Sequence, residues 1–522
     1  MPIIGIHVTS EGIATSQGDK ITTPPFLDYL LECYSNYQKV FYDLDASVAG
    51  LCSLLQLTKE QCQKLIKGKL YISGYHLTYF PRYYFAIDYG AWQGHPSVSF
   101  ANMNQAGYLT AQYSEDNSIE DAIAKAKEAE DTAMRVYKAF ETLGLDTTSI
   151  SSPIASLLKK QQFDWPTEED CPEEASKMAW EAIKGHWFEI YGQGLFQNCF
   201  SYDINGSYAF ELSKLPDIRR GQWIESQIPP DNALLGITKG ILETDAEFHP
   251  FLVKIGKNNY TPTGKMPNIL SLQEIQFLKK WQLGTFDIER GYFWIPADTI
   301  HNPYKGILLW LWSKKQSSQD QTIRDIITRL YAGLWGKTSQ YLPDTGEFSD
   351  MFNPIINYTV EANSRLHVAE TCLENKAIPL AIVGDGFITD KELSINLSNE
   401  LGGWKLSKQG QCLITGSGAI AFQSDKPPKG LALHFDTLLE QMKAKPKAKQ
   451  YPRIKYSPVT LAVALQHDFN ELGKVKKVER NLFVGDDNKR IYLERPKNGE
   501  NLISGKIWQS LPWNYKVLTT VA

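Results

Sequence analysis

Apolar residues in this 522-residue chain gather in short runs that end on a polar side chain, the pattern of buried strands in an α/β protein. Pro2-Ile3-Ile4-Gly5-Ile6 opens the chain and leads to His7 and Thr9. Val40-Phe41-Tyr42 leads to Asp43, Phe200-Ser201-Tyr202 to Asp203, and Leu380-Ala381-Ile382-Val383 to Gly384 and Asp385. Helical spacing takes over elsewhere. Ile119 to about Leu143 reads as an acidic helix facing solvent on the outside of an N-terminal domain. Gln321 to Leu334 reads as a helix with Arg324, Thr328, Ala332 and Trp335 on one face.

Two of these strand ends carry chemistry. Asp203 and Asp385 are 182 positions apart, but neighbouring strands would bring both to one sheet edge. Hard divalent cations take carboxylate oxygens, and a pair about 4 Å apart aligns an attacking hydroxyl with a triphosphate leaving group. Each acid also has a plainer reading. Asp385-Gly386 is the dipeptide of a two-residue hairpin, and Asp203 can end a strand or cap the next helix. A hairpin tip can hold a metal as well, so these readings coexist. Asp390 lies five residues on and falls on the opposite face of a continuing strand.

The segments around these acids resemble the motifs of family B DNA polymerases, within the viral, plasmid and organellar branch that includes protein-primed enzymes. The first motif, D-x-x-S-L-Y-P, stands here as Asp203-Ile204-Asn205-Gly206-Ser207-Tyr208-Ala209. By resemblance Asp203 binds both metals, the Ile204 carbonyl assists, and Tyr208 lies under the incoming sugar and excludes a 2′-hydroxyl. The third motif, D-T-D-S or D-T-D-G, stands as Val383-Gly384-Asp385-Gly386, keeping the second aspartate. The second motif, K-x-x-x-N-S-x-Y-G-K, is the most altered. Thr328, Ala332, Gly333 and Trp335 replace its lysine, asparagine, serine and tyrosine, while Gly336 and Lys337 survive. Arg324, one turn from Thr328, could supply the missing charge to a triphosphate, with Lys314 or Lys315 reaching in; Arg329 is a weaker candidate. Tyr191-Gly192-Gln193-Gly194 resembles the Y-x-G-G segment that touches template, although it also fits a Gly-rich turn. Leu401-Gly402-Gly403-Trp404-Lys405 resembles an L-G-x-x-K element whose lysine lies near the primer terminus, and Asn302-Pro303-Tyr304 is typical of the branch.

The resemblance implies an α/β multidomain fold. Residues 1–185 would form an exonuclease-like domain, 186–300 the first part of a palm, 301–345 fingers, 346–425 the second part of the palm, and 426–522 a thumb. It further implies two Mg²⁺ ions, with Mn²⁺ as a substitute, and primer-template DNA and deoxynucleotides as partners. A helicase, processivity factor or priming protein would be further partners. Only 53 residues separate Ala332 from Asp385, leaving little room for the insertion that protein-primed relatives use in strand displacement.

The N-terminal third departs from the family's proofreading pattern. His7 and Thr9 stand where a D-x-E pair belongs, Ser47 replaces a second-motif aspartate, and Glu141 follows Tyr137 where Y-x-x-x-D is expected. Editing needs a two-cation clamp of its own, so the expectation is an exonuclease fold without activity. A competing reading makes Asp43 and Asp45 a metal pair. A further alternative for the whole chain is a DNA-binding accessory protein that kept the polymerase shape and lost its chemistry.

Composition adds little. Seven cysteines without a C-x-x-C pair point to reduced thiols and an intracellular, cytoplasmic setting, and the longest apolar run, Ile307–Trp312, is too short for a bilayer. The formal net charge of −5 is unevenly spread. Glu440 to Ala522 carries sixteen Lys or Arg against eight Asp or Glu. Lys443, Lys445, Lys447, Lys449, Arg453 and Lys455, interrupted by Pro446 and Pro452, read as an extended segment. Arg453 and Lys455, beside Tyr451 and Tyr456, are the expected contacts to duplex phosphates.

Overall fold

The opening run forms the strand Ile3–Val8, buried along nearly all its length because it sits between two neighbours. Gln38–Phe41 runs parallel to it on one side and Ile13–Thr15 antiparallel on the other. A computed structural model describes residues 2–521 except 33–36, 73, 82–83, 90–96, 103–111, 114–117, 147–152, 298, 343–345, 417–418, 425–433, 486–487 and 495–496. The chain divides into two units. The first is Met1–Lys160 with Asp320–Ile326 and Ile454–Arg480; the second is Gln161–Gln319 with Ile327–Arg453 and Asn481–Ala522.

In the first unit the sheet continues from Gln38–Phe41 through Ser97–Asn102, Tyr84–Tyr89 and Tyr75–Phe80 to Lys69–Ile72. The helix Ile119–Leu143 has the expected bounds but not the expected exposure. Its Ala122, Ala126, Ala129 and Ala133 are buried, and only the opposite face is acidic and wet. Gly5 explains the close approach, since a Cβ there would lie 1.7 Å from the Ala126 carbonyl oxygen. Val459, Leu461, Ala464 and Leu472 join this unit's core.

The second unit is built on the strand Gly192–Ile204, flanked antiparallel by Trp404–Gly416 and Gly386–Thr389. Ala381–Val383 and Phe188–Ile190 extend the sheet on one side and Ala419–Phe422 on the other. Beneath it the 21-residue helix Pro354–Glu374 is almost wholly buried, started by Asn353, whose side chain accepts from the Ile356 N–H at 3.1 Å. Leu366, Val368, Ala369 and Cys372 of that helix share a core with Tyr202, Ile204, Ile382 and Phe387. A second sheet contains Gly221–Glu225, Thr285–Pro296, Leu235–Thr244 and Gly264–Ser271. The helix Gln321–Gly336 lies where its spacing predicted one, and Pro303–Ser317 forms another helix before it.

Two boundaries and one segment differ from the expectation. The first unit's opening stretch ends at Lys160 rather than 185, because the helix Glu173–Ala182 buries its apolar face against Ile237, Tyr292, Ile355 and Tyr358 of the second unit. The region 426–522 does not stand apart: Ile454–Arg480 groups with the first unit. Trp508–Leu511 pairs with the start of Gly192–Ile204. The basic cluster is not uniformly extended, since Lys443 sits in the last turn of the helix Phe435–Ala444 and the strand begins only at Gln450. Proline at 446 ends the helix rather than preventing it. The six described cysteines are free thiols, and no helix among the described residues is long and apolar enough to cross a membrane.

Candidate active site

Asp203 is the penultimate residue of the strand Gly192–Ile204, and register places it opposite Gly386 on one side and Lys405 on the other. Asp385 belongs to the tight turn between Ala381–Val383 and Gly386–Thr389. Because Val383 pairs with Gly386, the turn dipeptide is Gly384-Asp385, one residue earlier than expected. Gly384 has φ = 69°, supplying the positive angle that the first central position of such a turn needs. The Ile204 N–H donates to the Asp385 carbonyl at 3.3 Å, fixing the turn against the end of the first strand. The two aspartates therefore meet at one sheet edge.

Their electrostatics differ. Burial first, and the Asp203 charge second, raise the Asp385 pKa from 3.8 to about 6, against the lowering effect of Lys405. Lys405 Nζ lies 2.6 Å from Asp203 Oδ2, so this lysine touches the first acid directly. Asp390 lies just past the strand Gly386–Thr389, exposed, among Ile378, Pro379 and Leu380 rather than with the acids.

Tyr208 lies in the first turn of the helix Ser207–Lys214, two residues beyond Gly206, whose φ of 60° turns the chain sharply out of the strand. Its ring stacks on Trp335, with centroids 4.3 Å apart and planes 15° from parallel. Burial and the Asp385 charge raise the Tyr208 pKa, so its hydroxyl stays protonated. That hydroxyl hydrogen-bonds His186 Nδ1, and the imidazole also meets Trp335 with centroids 6.0 Å apart. Burial lowers the His186 pKa, favouring the neutral ring.

Sequence reasoning missed His186, because it lies in the segment preceding a short strand and belongs to none of the motifs. Its position is set from below. Glu361 on the buried helix accepts from the N–H groups of Lys184 at 3.4 Å and Gly185 at 3.1 Å. Lys184 in turn donates to Asn268 at 2.8 Å, and burial brings its pKa down to about 8. Arg365 reaches Glu274 at 3.2 Å and Glu361 at 3.8 Å, completing a buried charge network under the aromatic platform.

The other expected residues lie on several elements. Thr328 and Ala332 share the exposed face of Gln321–Gly336 with Arg324, and Trp335 is half-buried on that face. Arg324 itself falls in the segment that groups with the first unit. Lys314 is exposed in the last turn of Pro303–Ser317, Lys315 lies over Trp312 at 5.3 Å, and Lys337 begins a short 3₁₀ turn. Arg453 and Lys455 lie on the strand Gln450–Pro458. Tyr191, Gly192 and Gly194 are all buried, and Tyr191 is 5% exposed. The Tyr191 hydroxyl donates to Glu189 at 3.1 Å, and its ring lies 4.3 Å under the Arg490 guanidinium, so this side chain is committed inside the unit where a strand starts. Tyr451 is likewise core, its hydroxyl donating to the Lys445 carbonyl at 3.0 Å.

In the first unit His7 and Thr9 occupy the opening strand's end and are buried. Burial first, and Lys125 second, bring the His7 pKa down to about 3, and its Nδ1 lies 3.5 Å from Ser47 Oγ. Asp43 accepts from the Ala46 N–H at 3.1 Å as a helix cap, and Asp45 accepts from the Tyr79 hydroxyl at 2.9 Å. Glu141 is exposed on its helix. Among the described residues no group of three or more His, Cys, Asp or Glu could hold a metal ion.

The second unit's pair still suits magnesium. Magnesium is commonly held by one or two carboxylates, with waters and substrate phosphates completing its shell. Two adjacent hard-oxygen donors, one with a pKa raised by burial first and by the other's charge second, meet that description.

No protein-family model and no curated protein sequence matches the chain. Solved structures do. Phi29 DNA polymerase in complex with primer-template DNA and incoming nucleotides superposes with a TM-score of 0.62 at 12% identity, over 92% of this chain and 98% of that one. Its complex with single-stranded DNA gives 0.63 at 13%, again over 92% and 98%. An orthorhombic crystal form of the same enzyme gives 0.64 at 13% over 92% and 99%. Over 92% of its length, this chain has the fold of Phi29 DNA polymerase.

Proposed function

We propose that the chain is a template-directed DNA polymerase that adds deoxynucleotides to a primer 3′-hydroxyl, in the replication of a virus or mobile element. The observation that carries this reading is the meeting of Asp203 and Asp385 at one sheet edge beside the Tyr208–Trp335 stack. The fold shared with Phi29 DNA polymerase supports it.

Asp203 and Asp385 would hold two magnesium ions, with the Ile204 carbonyl as a further oxygen. When bound, such ions lower the pKa of the attacking hydroxyl and neutralise the departing pyrophosphate. Lys405 would leave Asp203 as cations arrive and turn to the primer end. The Tyr208 ring, braced by Trp335 and His186, would lie under the sugar and exclude a 2′-hydroxyl. Arg324, Thr328, Lys314 and Lys315 would face the triphosphate, and Lys337, Arg453 and Lys455 would contact DNA phosphates. The first unit would be an exonuclease-like domain without proofreading, since its strand end offers neutral His7 and Thr9 in place of carboxylates.

The direct Lys405–Asp203 ion pair favours one second reading, a polymerase-shaped DNA-binding protein whose first acid is already neutralised. Extension of a labelled primer on a single-stranded template, with deoxynucleotides and Mg²⁺ or Mn²⁺, separates the two. Extension by the native chain, lost in Asp385→Asn, with an intact primer when nucleotides are omitted, is the expected result. Duplex binding without extension would overturn the polymerase reading in favour of the accessory protein.

A further inference from the structure

A cleft of about 450 Å³ lies in the second unit between the turn Glu168–Asp170, the helix Glu173–Ala182 and the segment Phe348–Pro354. Its wall is aromatic. Phe348 and Phe352 stack with centroids 3.9 Å apart, and Trp180 meets them edge-on at 5.3 and 5.4 Å. Trp180 and Phe348 remain 41% and 38% exposed, and the Trp180 indole N–H has no acceptor among the described residues. Most large apolar side chains this exposed stand singly, so a clustered pair beside a cavity marks a place for a partner.

The rim says which partner. From Thr167 to Glu181 the chain carries six acids and one base, Lys177. Lys177 is committed to Glu173 at 2.7 Å and Glu174 at 3.2 Å. Glu168 and Glu169 have no cationic partner among the described residues. Burial and the neighbouring Glu169 charge raise the Glu168 pKa, as expected for two carboxylates lacking a counter-ion. Aromatic faces attract a cation through their quadrupole and carboxylates attract it by charge, so both features select the same sign. Nucleic acid bases could stack on an exposed tryptophan, but their phosphates would be repelled here.

We infer that this cleft docks a basic segment of a protein partner, with an Arg or Lys side chain or its apolar neighbour against Trp180 and Phe348 and flanking cations at Glu168 and Glu169. The surface is independent of the nucleotide-transfer reading and stands if that reading fails.

The test is fluorescence anisotropy on the full chain with four labelled probes. They are a short peptide of lysines and arginines around a central Leu-Trp pair, its counterpart with glutamates for the cations, a basic peptide with glycines for the Leu-Trp pair, and single-stranded oligothymidylate. The first peptide should bind at least about tenfold more tightly than the other two, weakening as salt rises. Trp180→Ala should weaken it about tenfold, and so should Glu169→Lys, an exposed change that leaves the fold untouched; oligothymidylate should not displace it. Equal binding of the acidic peptide, indifference to both substitutions, or displacement by oligothymidylate would each overturn the inference.

Discussion

In the first unit a buried strand delivers His7 and Thr9 to its end, and in the second a buried strand delivers Asp203. Each lies beside a neighbouring element bearing an acid, Asp43 in one case and Asp385 in the other. The first set is electrostatically settled: His7 is neutral, Asp43 caps a helix and Asp45 takes a tyrosine hydroxyl. The second is not, since Asp385 is half-buried near Asp203 with its pKa displaced upward to about 6. A folded protein retains such a conflict at a cost in stability. The contrast therefore makes the second sheet edge, and not the first, the candidate for binding a cation or substrate.

The strongest way to break this comparison is to remove the acids. Asp203→Asn and Asp385→Asn should each lower primer extension by about 10³-fold or more, because charge stabilisation of the reacting phosphate depends on them. Asp43→Asn should leave extension unchanged, and single-turnover assays of the three variants would show whether the two regions differ as stated.

Restoring an acid to the first unit tests the comparison from the other side. His7→Asp would place a carboxylate at a position 1% exposed, so urea unfolding should show a loss of about 3 kcal/mol, with no degradation of a primer in magnesium. Primer degradation by that variant would show that the first unit retains a metal-binding frame.

The Asp385 conflict also has a sign. Its carboxyl holds its proton more tightly folded than unfolded, so it contributes a penalty that is absent below about pH 4, grows as pH rises and is full above about pH 6. In metal-free buffer Asp385→Asn should therefore be more stable than the native chain by about 2 kcal/mol at pH 7, with the gain vanishing at pH 4. Thermal melts at the two pH values measure it; a variant less stable at both would remove the electrostatic argument.

A smaller effect is expected at His186. Loss of its hydrogen bond to Tyr208 in His186→Ala should reduce discrimination between deoxy- and ribonucleotides about fivefold, while His186→Gln should recover part of it. Single-nucleotide incorporation with each sugar gives the ratio, and unchanged discrimination would leave the imidazole a packing residue.

Much of the second sheet was legible because short apolar runs ending in Asp203 and Asp385 have one economical arrangement, and the Gln321–Gly336 helix follows from its spacing. The burial of Tyr191 was not legible, because a tyrosine before glycines looks like a loop until Arg490, some three hundred residues away, is seen covering it. The acidic helix was misread because alanine is weakly apolar. Gly5 on the opposing strand permits the close approach that buries its alanines.

The sequence by itself determined the strand runs, the helix faces and the two acids that chain order sets side by side, since these depend on local periodicity and on steric rules acting over a few residues. The tertiary structure alone decided which acids remain in conflict, which lysine answers them, and that His186 braces Tyr208. Burial, pKa and hydrogen-bond partners arise from residues distant in the chain, and those distances close only when the sheets are packed.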